Sequence, residues 1–514
     1  MTNNNTTYKQ ALSPYRPSGV PDKLREFMGC SFASLPYIPN MVSKYAMMAY
    51  LMAALGCMML YSSHFMTWYW WLFGLIEVCG FFYFANQLSK AWLKAGPMTF
   101  AKNIFWTAFI LRALWVVISF VLYNDWTGTP FSIGAGDELF YDEVAHYAAR
   151  LMREGNWHIY SNIERYAGGV KFSDMGYPIY LSIVYWLFGD SIFLARIIKA
   201  ALGAWTALLM YKLAVRNFGE TTGRMVGIMC ALMPTLIYYC SFQLKEIEMV
   251  FLGILFIERA DHLLRKGKLP VFQTAALMLI PLALFMIRTA LAATLVMAFF
   301  CALLFSSDRV VKTGQRIMLI VAAVAFAIVM FLSSTSIGND VREMWARGGS
   351  QQKSTMEWHS TRKDARGFNN EFAKYAGAAV FAPMIFTIPF PTMTDTAGQE
   401  NQKLIHGGNF VKNITSYFTI FALLILLLTG DWRKYVLPVA VLVGYLVVLV
   451  FSNFAHSERF HQPILPLSLM FAAYGISLMP QVRLIKKYFP YWCLLMLFVA
   501  IAWNWFKLAG RGMI

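Results

Sequence analysis

Four carboxylates, Asp137, Glu138, Asp142 and Glu143, repeat an Asp-Glu pair at a spacing of five within GDELFYDEVAHYAARLMREG, residues 136–155. A positioned carboxylate can take the proton of an attacking hydroxyl. Elsewhere Lys245 stands beside Glu246 and near Glu248, Arg288 interrupts a long apolar run, and His456, Glu458, Arg459 and His461 form a late cluster. Lys and Arg stabilise negative charge growing on a phosphate leaving group, so acids and cations together suit group transfer from an anionic lipid. Each residue also has a plainer role. Asp137 and Asp142 fit as solvated carboxylates at a helix start, favoured by its dipole. Lys245 fits as a partner of Glu248 or a snorkelling side chain, Arg288 as an anchor at a helix break, and Arg459 as a surface partner of Glu458. His456 and His461, five residues apart, are poorly spaced to share a metal on one helical turn. No metal site and no cofactor is implied.

The elements that must position these groups are set by composition. Of 514 residues, 58% are hydrophobic and 14% charged, against about 45–50% and about 25% for ordinary globular proteins. The expected fold class is therefore an all-α polytopic membrane protein. A formal net charge of +17 raises nucleic acid as a partner, but the cations flank apolar runs and follow the positive-inside pattern of membrane proteins instead; membrane lipids, not nucleic acid, are the expected surroundings. Seven cysteines, none in a CxxC pair, are scattered mostly inside apolar runs, which implies neither a disulfide framework nor a zinc site. The first 44 residues are polar and basic without an early apolar core, so a cleaved signal peptide is not expected.

At roughly 20 residues per crossing, spans are expected at 45–61, 65–84 and 104–123, then at 192–215, 225–239, 249–257, 272–287, 290–305 and 318–332. Four more come at 411–428, 435–451, 464–478 and 491–506. That makes about 13 transmembrane helices with a cytoplasmic N-terminus, two large extracytoplasmic loops at 124–188 and 334–409, and an external C-terminus. The first loop should hold an amphipathic helix from Tyr141 onward, ended by Gly155. Its apolar stretch 175–188 is short for a span and is expected to lie flat at the outer surface. In the second loop, 376–391 is broken by Pro383, Pro389 and Pro391 and should not cross alone. Glu77, inside the second span, is costly there unless protonated or paired with a helix. The resulting division is 1–102 as the N-terminus plus two extra helices, 103–333 as the core, 334–409 as the second loop and 410–514 as the last helices.

A GYP segment ending in LFGDS ahead of LARIIKAALG, a QLKE after a Pro-containing span, and a late ERFHQPILPL together resemble the GT-C membrane glycosyltransferases. The bacterial members related to protein O-mannosyltransferases and to the lipid A aminoarabinose transferase are the nearest in pattern. The resemblance covers 111–478 and leaves the first two spans outside. It implies a GT-C fold in a bacterial inner membrane, a polyprenyl-phosphate sugar donor, and an acceptor hydroxyl on a glycan, lipid or protein. It also implies an essential aspartate in the first external loop, which by position is Asp137 in GDELFY or Asp142 in YDEVAHY. Basic residues of the later loops would hold the lipid phosphate: Lys245, Arg288 and Arg459, with Glu138, Glu246 and His456 beside them. Two other classes fit less well. A lipid-linked polysaccharide polymerase or ligase shares the loops and cations but has no need of the acidic pair. A secondary transporter calls for internal repeats and midplane polar groups, whereas the charges here collect in external loops.

Overall fold

The computed structural model describes residues 35–168, 172–266, 271–305, 384–395, 400–452, 457–509 and 513. The expected span 318–332, His456 and most of the second large loop lie outside them. Among the described residues the chain is helical with no strand, save one isolated bridge between Phe65 and Thr394.

The chain begins with α1 (Asn40–Leu60), α2 (Trp68–Ala91) and α3 (Pro97–Thr127), followed by α4 (Gly136–Arg153), α5 (Ile159–Ala167) and α6 (Phe172–Phe188). Next come α7 (Ile192–Phe218), α8 (Glu220–Leu232), α9 (Pro234–Tyr238), α10 (Glu246–Lys266), α11 (Val271–Ile287) and α12 (Thr289–Phe305). The last group is α13 (His406–Thr429), α14 (Val436–Ser452), α15 (Glu458–His461), α16 (Leu465–Ser477) and α17 (Arg483–Ala509). Six of these, α1, α2, α3, α7, α13 and α17, are long and apolar enough to cross a membrane, and α8 with α9 makes a seventh if the bent pair is one span. The protein is an all-α membrane protein.

Several boundaries differ from expectation for local reasons. The span expected at 225–239 bends by 51° where α8 gives way to α9. Pro234 has no N–H to give the carbonyl of Cys230, four residues back, and that carbonyl instead accepts from Arg112 Nη2 at 2.9 Å while Ala231 O accepts from Nη1 at 3.0 Å. Arg112 lies fully buried against α7 at Gly203, where a Cβ would come within 2.6 Å of its Nε. The nine-residue run 249–257 sits in the 21-residue α10, whose second half carries Glu258, Arg259, Asp261 and Arg265. Residues 406–409, expected in a loop, are the first turn of α13.

Glu77 of α2 accepts the backbone N–H of Gly408 at 3.2 Å. A helix N-terminus offers free N–H groups and a favourable dipole to a carboxylate, so this acid joins α2 to α13. The Pro-rich segment does not form a helix over 384–395. It is strapped down by Asn413, which donates to Thr387 and Pro389 carbonyls, and by Asn504, which accepts from Met393 N at 2.7 Å.

α7 and α10 run parallel, because both their beginnings and their ends are joined. Lys199 faces Glu248 near the start, and Arg216 meets Glu258 at 2.5 Å and Asp261 at 3.0 Å near the end. At 1.5 Å per residue, Arg196 and Arg216 stand about 30 Å apart along α7, close to the hydrocarbon thickness of a bilayer. Over the first of these ends lies a layer of α4, α5 and α6. Its α4 buries Tyr141, Val144, Ala145, Ala148, Ala149 and Met152 on one face, the spacing that an amphipathic helix needs. α6 packs on α4 and on α11. Its approach to α11 depends on Gly176, where a Cβ would stand 2.9 Å from the backbone of Met286.

Candidate functional site

The site is built where the start of α4 meets the start of α10. The acidic helix begins at Gly136, earlier than the expected Tyr141, and this places its four carboxylates in different surroundings. Asp137 and Glu143 are exposed, while Glu138 and Asp142 are buried. The plainer reading of Asp142 as a solvated carboxylate therefore needs correcting, while Asp137 keeps its exposure: the helical rotation of about 100° per residue turns nearby acids to different faces.

Glu138 is a structural hub. Its carboxylate accepts from Ser132 Oγ and from Gln243 N at 2.9 Å, and lies 3.5 Å from Arg196 Nη2. Burial pushes its pKa up, and Arg196, Ser132 and Gln243 hold it down in part. Asp142 accepts from Tyr185 Oη and faces His146 Nε2 at 3.3 Å. Tyr185 in turn accepts from Gln243 Nε2 at 2.9 Å. His146 also reaches Asp190 at 3.5 Å and stacks on Tyr185, and its pKa is raised, chiefly by its hydrogen bond to Asp142. Both buried acids are thus committed to packing α4 against α6, α7 and the turn before α10.

Asp137 is different. Its side chain is 60% exposed and meets Arg459 Nη1 at 2.5 Å. Arg459 also donates through Nε to Glu246, at the start of α10. It does not pair with Glu458, which accepts instead from Gln402 at 3.0 Å. Lys245 does not pair with Glu248 either: it donates to Asp174 in the first turn of α6, and burial lowers its pKa against the opposing pull of Asp174. Glu248 is matched by Lys199 at 3.5 Å. Arg288 occupies the break between α11 and α12, where its guanidinium lies 4.3 Å from the Phe460 ring centroid and is hydrogen-bonded to Tyr445. Its charge also acts on Lys245.

The structure thus gathers Asp137, Glu138, Lys245, Glu246, Arg288 and Arg459 at one end of the bundle, sets Asp142 behind them, and leaves His456 outside the described residues. Sequence reasoning missed Asp174, Arg196, Lys199, Tyr185 and Gln243. For Arg196 and Lys199 a signal existed, since cations three residues apart in the first two turns of an apolar span are costly there and share one face. Behind the ion pairs the polar groups are in surplus. The three guanidinium nitrogens of Arg196, both oxygens of Glu248, Glu246 Oε2, Gln243 Oε1 and Tyr177 Oη are buried without a hydrogen-bond partner. Such groups are ordinarily satisfied in a folded protein, by other protein groups or by ordered water. A search of known proteins finds no family model, curated protein or solved structure that matches the chain.

Proposed function

We propose that this protein is a glycosyltransferase of the GT-C type, moving a sugar from a polyprenyl-phosphate donor to an acceptor hydroxyl on the extracytoplasmic face of a bacterial inner membrane. The observation that carries the reading is the cluster of Asp137, Arg459 and Glu246, an accessible carboxylate set against a guanidinium at the end of the bundle where Lys245 and Arg288 also lie.

In this reading Asp137, not Asp142, is the base, because Asp142 is buried and held by Tyr185 and His146. Asp137 takes the acceptor's O–H proton, the acceptor oxygen forms a bond to the anomeric carbon, and the bond from that carbon to the phosphate oxygen breaks with its electron pair leaving on the phosphate. The lipid monophosphate departs and the configuration inverts. Arg459, Lys245 and Arg288 stabilise the growing charge, which removes the need for an acid on the leaving group. A retaining route needs a second free carboxylate about 5–5.5 Å away, whereas Glu246, which shares Arg459 with Asp137, is buried and turned onto the guanidinium.

Purified protein supplied with a panel of polyprenyl-phosphate sugars should release lipid phosphate with at least one of them, giving a product of inverted anomeric configuration. Turnover by Asp137→Asn at the unmodified rate would overturn the mechanism, and a retained configuration would overturn the single displacement. Cysteines placed at Ser161 and Ser354 should both react from outside intact cells; reaction of only one would break the proposed sidedness.

A further inference from the structure

We infer that the two ion pairs Asp137–Arg459 and Lys245–Asp174 form a latch, opened when the phosphate of an anionic lipid takes the place of the two carboxylates. This deepens the proposed function and rests on its donor class.

The arrangement of the pairs carries the inference. Both carboxylates belong to the overlying layer, Asp137 to the first turn of α4 and Asp174 to the first turn of α6. Both cations belong to the bundle, Lys245 just before α10 and Arg459 in α15. The pairs flank Tyr141, whose hydroxyl feels the charges of Asp174, Arg459, Glu246 and Asp137, and whose ring lies 6.0 Å from Lys245 Nζ. Two contacts side by side therefore tie layer to bundle along one seam.

Exposure differs sharply across that seam. The side chain of Asp174 is 39% exposed and that of Asp137 60%, against 3% for Lys245 and 22% for Arg459. An anion arriving from outside meets the carboxylates first and can displace them into water, where they are well solvated. The cations cannot follow, since a buried cation left without an anion is strongly unfavourable. The donor's phosphodiester, with two non-bridging oxygens and one charge, can accept from Arg459 with one oxygen and from Lys245 with the other; the lipid monophosphate left after transfer adds a third oxygen and up to a second charge. The displaced carboxylates regain full hydration while the buried cations keep an anion, so the exchange leaves no charge unpaired.

The exchange also orders the reaction. While Asp137 is held by Arg459, its Oδ2 is committed to the guanidinium. Donor phosphate on Arg459 frees that carboxylate to accept a proton, so the base becomes available once donor is in place. The protein is thereby guarded against activating an acceptor, or water, before the sugar has arrived.

The test is direct binding of a short-chain polyprenyl monophosphate, without sugar, to the full-length protein in nanodiscs. The variants Asp137→Asn and Asp174→Asn are compared with the unmodified protein at pH 7. A latch that competes with the ligand predicts tighter binding in each, by about two- to fivefold. A pair that only supports the fold predicts weaker or unchanged binding, and that result in both variants overturns the latch. Thermal unfolding checks each variant, and Asp174→Glu, which keeps the charge, should bind as the unmodified protein does. The same rise for inorganic phosphate supports competition between anions, whereas a rise confined to the lipid would overturn it. If neither the unmodified protein nor any variant binds the lipid phosphate, the donor class itself is wrong; binding with the opposite order of affinities sinks the latch alone.

Discussion

The two ends of the parallel pair α7 and α10 hold similar residues and treat them differently. At the far end Arg216, Glu258, Asp261, Arg259 and Arg265 interlock: Asp261 is bridged by Arg216 and Arg265, and Glu258 by Arg216 and Arg259. Nearby, Arg224 pairs with Glu220 and donates to the carbonyls of Trp92, Leu93 and Ala95, in the turn between α2 and α3. Charges there are matched to opposite charges or to carbonyls at a helix end, which is the pairing a clip requires. At the near end Arg196, Lys199, Glu246 and Glu248 are buried more deeply, with side chains at most 5% exposed against 20–28% for Arg216, Arg259 and Arg265, and the pairs of Arg196 with Glu138 and of Lys199 with Glu248 are looser, at 3.5 Å each. Burial of charge alone does not mark a site. What sets the near end apart is looser pairing of its buried cations beside an accessible carboxylate, Asp137.

The contrast makes separable predictions. The largest effect is expected from Asp137→Asn at the near end. The rate of sugar transfer should fall by about 10²–10⁴-fold, with the melting temperature almost unchanged because the side chain is mostly in water. A fall in stability of the same size as the fall in rate would make Asp137 a clip residue like those opposite. Next is Arg216→Ala at the far end. It strips one of two arginine partners from each of two buried carboxylates and should cost about 1–3 kcal/mol of stability, read as a lower melting temperature in detergent, while surviving protein keeps its turnover. Loss of turnover without loss of stability would erase the distinction between the ends. Third, Arg459→Ala and Arg288→Ala should each weaken donor use by roughly tenfold, through the loss of a charged hydrogen bond; saturation kinetics at several donor concentrations would reveal it, and unchanged dependence in both would remove them from the phosphate site.

The smallest effect concerns pH. His146 binds its proton more tightly in the folded protein than its ordinary value near 6.5, through Asp142 and Asp190, which face it from α4 and from the turn after α6. Above that value the folded form holds a proton that the unfolded chain has lost. The stabilisation is therefore complete below about pH 6.5 and fades as pH rises through the folded value. Because the ring is partly exposed, solvent screening should keep the effect at about 0.5 kcal/mol or less. Melting temperatures from pH 6 to 9 should show this decline in the unmodified protein and not in His146→Gln; identical profiles would exclude His146 as its source.

Much of the architecture is legible in the order of residues. Apolar length marks α1, α2, α3, α7, α13 and α17 without reference to any contact, and Arg288 is visible as an interruption because one cation inside more than 30 apolar residues has to end or break a helix. The sequence sets the first two helices apart as additions, yet Glu77 and Tyr50 join them to Gly408 and His406 at the start of α13. That junction connects positions more than 300 residues apart, and no period along the chain encodes it.

The sequence by itself determined the class of protein, most of its long helices, and the residue types that gather at one end. The reason is that transfer into lipid is a sum over neighbouring residues, and a sum of that kind can be read locally. Which acid is free and which is buried was decided only by the tertiary structure. Asp137 and Asp142 stand five residues apart on one helix with the same Glu behind each, and nothing local distinguishes them. Arg459, 322 residues away, and Tyr185, 43 residues away, make the distinction by arriving on different faces of α4. Pairing of charges depends on where distant segments meet, and that is a property of the fold.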